Sequence, residues 1–386
     1  MMAILTLNAG SSSIKFGLYL RQEEPRQIAV GQVDGLGPRA RLILETGGAR
    51  TETDLGSADH AGGVAAILQA LEPVLEGRPV AGVGHRVVHG GTEFDAPAVL
   101  TDEVRAALHR LAPLAPLHQP HNLAAVEAAI DAFPEALQVG CFDTAFHRGH
   151  PFVNDAFGLP RRLYDEGVRR YGFHGLSYDY IAGRLADEDP ALHAGRVVVA
   201  HLGNGASMCA LRGGRSVAST MGFSALDGLP MGTRCGQVDP GVLLYLLDGG
   251  MTPAELTAML YKESGLKGLS GLSHDMRELL ASEAPEAADA IDYYVFRIRR
   301  ELGAMAAALG GIDGMVFCGG IGENAAPIRA RVLEGMEWMG LVLDAEANAA
   351  GGPVISAGQA TALVIPTDEE RVIARATRAA LDRASA

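Results

Sequence analysis

The chain of 386 residues contains little of what marks exported, membrane-spanning or nucleic-acid-binding proteins. Its four cysteines include no Cys-x-x-Cys pair, which favours buried thiols in a reducing compartment over a disulfide framework. No apolar run of about 18 residues lacks a Gly, Asp or Pro break, so no transmembrane helix is predicted. The first residues have neither a basic n-region nor a long apolar h-region. We therefore expect a cytoplasmic protein.

Positive charge is also scarce. The chain has 32 Lys and Arg residues against 46 Asp and Glu residues, a formal net charge of −14 and a pI of about 5.3. Because no basic block offsets this field, the composition argues against nucleic acid or an anionic membrane as a partner. To bind an anionic substrate, a chain with this net negative charge would need individual arginine or lysine residues in the binding site. The length and the 48% hydrophobic content predict two domains, each with its own core.

Two Gly-rich polar turns each separate a pair of strand-like runs, at 8–15 and at 202–207. In the first, Gly10 permits a tight turn, serine hydroxyls add hydrogen-bond donors, and Lys15 adds a charge that a polyphosphate can use. The turn is not a Walker A loop, because the Gly-x-x-x-x-Gly-Lys-Ser/Thr pattern is absent. A Ser-rich hairpin is the alternative for this turn taken alone.

The two hairpins lie about half the chain apart, which predicts a duplicated unit with a cleft between the two domains. A chance resemblance of two Gly-rich turns is the alternative. A third Gly-rich stretch, 319–324, is predicted to be a strand-to-helix turn suited to a nucleotide, although such turns also serve only to pack a helix on a sheet. Strands are predicted over 4–8, 14–20, 27–33, 40–45, 80–88, 196–201, 206–211, 215–220 and 314–318. Helices are predicted over 63–71, 291–309, 325–336 and from an N-cap at Thr367 or Asp368 to 381.

Two arginines are candidates for binding an anion. Arg86 lies near the end of the predicted strand 80–88, where ligands gather in open α/β sheets, and its fork suits a carboxylate or phosphate. Arg234 lies in a Gly-flanked loop without helical or strand periodicity. A solvated surface side chain is the alternative for either residue.

Acid and base candidates lie in apolar or Gly-rich settings, which tend to shift pKa values. Asp143 follows an apolar run and His174 lies in a Gly-rich stretch; the alternatives are a helix N-cap for Asp143 and a core histidine bonded to a carbonyl for His174. His118 lies on a Pro-rich loop. His85 and His89 would be about 13 Å apart on a strand, so a zinc site is not expected.

Together, two phosphate-type hairpins, a nucleotide-type turn and two arginines predict a phosphoryl-transfer site, because such catalysis depends mainly on positioning and charge neutralisation. Magnesium takes few protein oxygens and keeps waters, so Asn8 and Glu369 would suffice as its direct or water-mediated partners.

Eight motifs then stand in an order and spacing that resemble one family: LNAGSSSIKF, GHRVVHGG, FDTAFH, YGFHG, HLGNGAS, MGTRCG, GIGEN and PTDEE. From residue 7 to residue 375 the chain resembles the acetokinase family of the acetate and sugar kinase, heat-shock chaperone and actin superfamily. The resemblance implies an α/β fold of two ribonuclease-H-like (actin-like ATPase) domains related by duplication, with an interdomain active-site cleft. The implied domains are 1–144 plus 371–386 and 145–370.

The implied activity is reversible, Mg²⁺-dependent phosphoryl transfer from ATP to acetate, giving acetyl phosphate and ADP, with Mn²⁺ as an alternative ion. The resemblance also implies a homodimer. Asn8 and Glu369 match the magnesium residues and Asp143 the acid/base. His174 and Arg234 match the pair that stabilises the in-line transition state.

The remaining implied residues form two groups. The acceptor-binding residues are Arg86, which would hold the acetate carboxylate, and Val88, Leu117, His118, Phe173 and Ala225. The ATP-binding residues are Ser11, Ser13, Lys15, His201, Leu202, Gly203, Asn204, Gly205, Asp275, Met276, Arg277, Gly320, Ile321, Gly322, Glu323 and Asn324.

The chain departs from the family pattern beside some of these positions. Ala225 stands where many members have proline, which removes ring volume and makes propionate or another short-chain acid an alternative substrate. Gln119 replaces the usual asparagine, and Leu176, Tyr178 and Asp368 are further departures. A nucleotide-gated ATPase switch is the alternative from another class, although a switch has no need of a carboxylate anchor such as Arg86. For the kinase we expect direct in-line attack, with Asp143 orienting Arg234 or the metal, because acetate has no proton to remove at neutral pH.

Overall fold

The computed structural model describes residues 2–10, 12–116 and 118–385. They divide into two compact units: the first comprises the residues up to Arg148 together with those from Asp368 onward, and the second spans Gly149–Thr367. The sequence placed these boundaries at 144 and 371. The difference arises because the last helix, which starts at Glu369, packs on the sheet of the first unit, so Glu369 and Glu370 belong to that unit.

The elements are numbered in chain order. The strands are β1 Ala3–Ala9, β2 Ser13–Leu20, β3 Arg26–Asp34, β4 Gly37–Thr46, β5 Ala49–Ala58, β6 Val80–Val87, β7 Ala98–Val99, β8 Leu137–Phe142, β9 Arg196–Leu202, β10 Ala206–Arg212, β11 Arg215–Ser219, β12 Gly314–Cys318 and β13 Thr361–Val364. The helices are α1 His60–Leu75, α2 Asp102–Arg110, α3 Gln119–Ala132, α4 Phe152–Asp155, α5 Arg161–Asp165, α6 Gly175–Glu188, α7 Pro190–Ala194, α8 Pro240–Asp248, α9 Pro253–Ala258, α10 Gly265–Ser270, α11 Met276–Ala281, α12 Pro285–Leu309, α13 Gly319–Asn324, α14 Ala326–Leu333, α15 Ala345–Ala349 and α16 Glu369–Ala384. Short 3₁₀ segments cover Ala112–Leu114, Ala145–His147 and Glu337–Met339, and a π-helical segment covers Met259–Glu263.

The first unit is built on an eight-stranded sheet in the order β5-β4-β3-β2-β1-β6-β8-β7. Strands β1 to β5 form an antiparallel meander, whereas β6 and β8 run parallel to β1. Alternate residues of β1 enter two different cores: Leu5 and Leu7 pack with Ile67 of α1, and Ile4 packs with Ala374 of α16. Because successive strand residues point to opposite faces, β1 is covered on both sides and nearly all of its residues are buried.

The second unit repeats this pairing in a five-stranded sheet ordered β11-β10-β9-β12-β13. Strand β9 pairs antiparallel with β10 and parallel with β12, as β1 pairs with β2 and β6. In both units, a Gly-rich turn connects the first two strands of the meander. The predicted duplication and the predicted ribonuclease-H-like α/β fold are therefore confirmed.

Several elements differ from the sequence expectations. Strand β5 was not predicted, because most of its residues are polar and it lacks an apolar alternation; in the structure, most of the strand is exposed. The Gly-rich stretch expected as a turn at 319–324 is itself the short helix α13. Helix α16 begins where predicted, and its N-cap is Asp368, whose carboxylate accepts the Arg371 N–H. Among the described residues, no helix is both long and apolar enough to cross a membrane.

Candidate active site

Three neighbouring parallel strands of the first unit end in polar side chains at the same edge of the sheet. Asn8 lies near the end of β1, Arg86 near the end of β6, and Asp143 directly after β8. The register places Val87 opposite Phe142, so the ends of β6 and β8 are level. Because ligands bind at the carboxyl ends of parallel strands, this edge is a candidate binding site.

Arg86 and Asp143 form a two-pronged ion pair. Arg86 Nε donates to Asp143 Oδ1 at 3.0 Å and Arg86 Nη2 donates to Asp143 Oδ2 at 2.5 Å. The Asp143 side chain is only 1% exposed. The N-cap alternative for Asp143 is wrong, because the next helical turn begins after Thr144 and has no side-chain cap. Within its unit, Asp143 holds Arg86, a partner that the sequence analysis did not assign to it.

Asn8 connects this pair to the start of α16. Its Oδ1 accepts from Arg86 Nη1 at 3.2 Å, and its Nδ2 donates to Glu369 Oε2 at 3.3 Å and to Glu370 Oε1 at 3.4 Å. Glu369 Oε2 also lies 3.9 Å from Arg86 Nε. Glu370 was missed by the sequence analysis, although its place beside Glu369 in the first turn of a helix was the available signal.

The charged groups of this cluster shift one another's pKa values. Burial raises the pKa of Asp143 to about 6, and Glu369 adds to this effect while Arg86 opposes it. Burial alone would lower the pKa of Arg86, but Asp143 and Glu369 together raise it. The two hydrogen bonds from the Arg86 guanidinium to the Asp143 carboxylate favour the charged form of both side chains. Burial also raises the pKa of Glu370, and the neighbouring Glu369 contributes.

Helix α3 fixes the ends of two of these strands through residues that the sequence analysis did not assign. Asn122 Oδ1 accepts the Val88 N–H at 2.9 Å, and Asn122 Nδ2 donates to the Ala9 carbonyl at 2.5 Å. The side chain of Gln119 bonds both the N–H and the carbonyl of His89. Polar residues three positions apart on a buried helix face were the signal that could have identified them.

The first Gly-rich turn lies beside this cluster. Gly10 N–H donates to the Ser13 carbonyl at 2.7 Å, and the β1–β2 register pairs Asn8 with Lys15. His60 holds the turn from α1, with its Nε2 at 2.7 Å from the Gly10 carbonyl. The predicted residues Ser11 and Leu117 lie outside the described residues. Val88 is buried, whereas His118 is partly exposed just before α3.

A cavity of about 510 Å³ in the second unit is lined by eight of the sixteen predicted ATP residues. The predicted residues that line it are Gly203, Asn204, Asp275, Met276, Arg277, Gly320, Ile321 and Asn324. The further lining residues are His274, Leu280, Ala325 and Pro327. The turn after β9 and the helices α11 and α13 therefore bring together three stretches that are distant in sequence. The mixture of apolar and polar lining suits a nucleotide.

Among the described residues of the second unit, the other predicted ATP residues do not line this cavity. Leu202 and Gly322 are buried. Glu323 instead binds two backbone N–H groups: its Oε1 accepts from Gly319 N–H at 2.8 Å and from Thr367 N–H at 3.2 Å. At the cavity wall, the Arg277 hydrogen bond lowers the pKa of Asp275 to about 2.

Two stacked histidines lie next to the turn after β9. The rings of His174 and His201 have centroids 4.3 Å apart and an interplanar angle of 21°. His174 precedes α6 with φ of 58°, a left-handed conformation that is costly for a residue with a side chain. Each ring is held by a serine: His174 Nδ1 lies 2.8 Å from Ser207 Oγ, and His201 Nδ1 lies 2.8 Å from Ser177 Oγ. The partner that the structure gives to His174 Nδ1 is therefore a serine hydroxyl.

His174 and Arg234 converge at Gly205. A β-carbon added to Gly205 would lie 3.3 Å from His174 Nε2 and 3.8 Å from Arg234 Nη2. Arg234 Nη1 donates to the Ala225 carbonyl at 3.1 Å, which fixes the guanidinium relative to its own loop. Phe173 is buried beside His174 in the sequence, and Ala225 is partly exposed. Because Gly205 has no side chain, the space in front of the His174 ring and the Arg234 guanidinium is left open.

Two units with this repeated strand pairing, one of them holding a nucleotide-sized cavity beside a histidine and an arginine, define the actin-like ATPase class of phosphotransferases. The chain belongs to the acetokinase family, which it matches over residues 3–375. It is 58% identical to the acetate kinase of Methylocella silvestris, over 99% of both chains.

Two solved structures are also similar. A propionate kinase from Francisella tularensis has a TM-score of 0.92 at 32% identity and covers 97% of this chain and 99% of its own. The Porphyromonas gingivalis acetate kinase has a TM-score of 0.88 at 38% identity and covers 98% of this chain and 99% of its own.

Proposed function

We propose that the protein transfers the γ-phosphoryl group of ATP to acetate, reversibly and by direct in-line attack of a carboxylate oxygen. The observation that carries this proposal is the convergence of His174 Nε2 and Arg234 Nη2 at Gly205, which also adjoins the cavity residues Gly203 and Asn204. A transferring phosphoryl group spreads negative charge over its equatorial oxygens, and two fixed donors at one place stabilise that charge. No covalent enzyme intermediate is needed.

In the first unit, Arg86 serves as the carboxylate anchor. Its fork is already aligned and desolvated by Asp143, so an acetate carboxylate meets a cation that is fixed in position. Acetate is ionised at neutral pH and has no proton for a base to remove. Asp143 therefore acts as a positioning residue for Arg86. Val88, Leu117, His118, Phe173 and Ala225 are our candidates for contacting the acid.

The oxygen donors at the C-terminal end of β1 fit a magnesium ion. Asn8 Oδ1 and the Glu369 carboxylate are hard oxygen donors, and the 3.3 Å contact between the two side chains places them within reach of one hydrated ion. We propose that these two residues hold Mg²⁺, directly or through water, with Mn²⁺ as a substitute. The ion would neutralise charge on the phosphates. Lys15 and Ser13, on the neighbouring strand, would contribute to phosphate binding.

The test is to trap acyl phosphate as hydroxamate with ATP, Mg²⁺ and acetate, propionate or butyrate in turn. We expect acetyl hydroxamate to form, and its formation to stop when the metal is chelated. No product with any of the three acids would refute the kinase proposal. ATP hydrolysis without an acyl product would instead favour the nucleotide-gated switch.

The volume of residue 225 is expected to set the choice of acid. In the series Ala225→Gly, wild type and Ala225→Val, the ratio of kcat/KM for propionate over acetate should fall as the side chain grows. One methylene in an apolar pocket is worth about 1–3 kcal/mol, so each step should change the ratio by about tenfold. The Ala225→Gly variant is the matched control for a general effect on the loop, since it should raise the ratio. A ratio that is constant across the series would show that residue 225 does not contact the acid.

We also propose that two copies of the chain associate through α8. No residue of this helix is buried, and Leu244 and Tyr245 are 63% and 76% exposed. Residues 240–247 carry no charge, so two such helices can meet without repulsion between like charges. We expect Leu244→Glu to convert a two-chain species into single chains in analytical ultracentrifugation. Val153→Glu, at an apolar residue that is 79% exposed, is the control and should leave the dimer intact. A wild-type protein that sediments as one chain would contradict this proposal.

A further inference from the structure

We propose that Tyr178 and Ser207 form a hydrogen-bond relay that fixes the tautomer of His174, so that Nδ1 is the acceptor and Nε2 carries the proton. The catalytic role of this tautomer rests on the proposed function, whereas the existence of the tautomer does not depend on that function. Tyr178 lies on α6, and Ser207 is the second residue of β10.

The geometry of the relay is set by two elements of the second unit. His174 is the N-cap of α6, and the N–H of Tyr178, in the first turn of that helix, donates to the His174 carbonyl at 3.1 Å. Ser207 lies between them: its Oγ is 2.5 Å from the Tyr178 hydroxyl and 2.8 Å from His174 Nδ1. Tyr178 and Ser207 are both fully buried.

The direction of the protons follows from the chemistry of the two hydroxyls. Burial raises the pKa of Tyr178 well above its ordinary value, so the phenol keeps its proton. A phenol is a stronger donor and a weaker acceptor than an aliphatic hydroxyl, because the ring withdraws electron density from its oxygen. Tyr178 therefore donates to Ser207 Oγ, and the Ser207 proton is directed to the nitrogen lone pair of His174 Nδ1. Such a chain of donors strengthens each bond in turn.

The consequence lies at the other nitrogen. A neutral imidazole has one N–H and one lone pair, so a lone pair at Nδ1 places the proton on Nε2. Nε2 is the atom that faces the open space at Gly205, beside Arg234 Nη2. The relay thus makes His174 a hydrogen-bond donor toward the transferring group without needing a positive ring. Tyr178 and Ser207 act through His174 and are positioning residues.

The tautomer is measured directly by ¹⁵N NMR of the full-length protein labelled at histidine. The chain has 12 histidines, so a His174→Asn variant assigns the signal by its loss. We expect His174 to show a protonated Nε2 and an unprotonated Nδ1 in the wild type, and a mixture of tautomers in Tyr178→Phe. Tyr180→Phe is the matched control: it lies on the same helix, and its hydroxyl accepts from Arg184 instead. A proton on Nδ1 in the wild type would overturn the proposal.

Kinetic measurements test whether Tyr178 and Ser207 position His174. Tyr178→Phe should lower kcat by about three- to tenfold, the effect of one hydrogen bond, and leave KM for ATP unchanged. Ser207→Ala should lower kcat at least as much, and adding Tyr178→Phe to it should have no further effect, because Tyr178 acts through Ser207. Equal kcat in Tyr178→Phe and Tyr180→Phe, or additive losses in the double variant, would overturn the role. If no acyl phosphate forms at all, the proposed function fails, while the NMR result still decides the tautomer.

Discussion

Replacement of Arg86 by alanine is expected to impair both folding and activity. Asp143 would keep its buried position without the two-pronged partner that compensates its charge. Breaking a buried pair in this way costs about 3–5 kcal/mol, and the partial exposure of Arg86 favours the lower end of that range. With Arg86 as the proposed anchor of the acetate carboxylate, its removal should also lower kcat/KM for acetate by about 10²–10³-fold. Denaturant unfolding and the hydroxamate assay measure the two effects.

The control for Arg86→Ala is the double variant Arg86→Ala/Asp143→Asn. Its amide carries no charge, so it should recover much of the lost stability but none of the lost activity. This separates the structural role of the pair from the anchoring role of the arginine. An unfolding midpoint of Arg86→Ala equal to that of the wild type would contradict the description of Asp143 as a buried charge held by Arg86.

Replacement of Arg234 by alanine is expected to have the larger effect on chemistry. An arginine that stabilises the transferring phosphoryl group is worth about 10³–10⁵-fold in kcat. Within the fold, Arg234 Nη1 donates to the carbonyl of Ala225, in the same loop. We therefore expect kcat to fall by at least about 10³-fold, with an unchanged KM for ATP.

Two comparisons sharpen this prediction. Arg184→Ala, which removes a surface arginine paired with Glu188 in the same unit, should leave kcat unchanged. Arg234→Lys should recover little activity, because a point charge does not reproduce the planar fork. Asp143→Asn should keep far more activity than Arg234→Ala if Asp143 only positions Arg86. The reverse order would favour an acid/base role for Asp143.

Local patterns predicted much of the fold. The hairpins β1–β2 and β9–β10 were predicted because apolar strands flank short Gly-rich turns, a signal confined to about 20 residues of sequence. The long helix α12 was predicted from its 3.6-residue periodicity, although it begins earlier, at Pro285. The helix α13 was predicted as a turn, because three of its six residues are glycine and glycine is a poor helix former.

The candidate site was predicted in its residue types and less well in its connections. The Arg86–Asp143 pair joins residues 57 positions apart, and the His174–Ser207 bond joins residues 33 positions apart. No periodicity of the sequence relates such residues. Asn122 and Ser207 are small polar residues on buried faces, and their hydrogen bonds become visible only when the sheet register is known.

The sequence by itself determined the duplicated α/β architecture, the two Gly-rich turns and the residues that could bind an anion, because these depend on local apolar patterns, on glycine and on side-chain charge. The tertiary structure decided what each charged or polar group contacts. Parallel pairing of β6 and β8 assigned Asp143 to Arg86, and the meeting of α6 with β10 gave His174 its serine and tyrosine. The physical reason is that a hydrogen bond depends on angstrom-scale positions, which are fixed only when distant segments pack together.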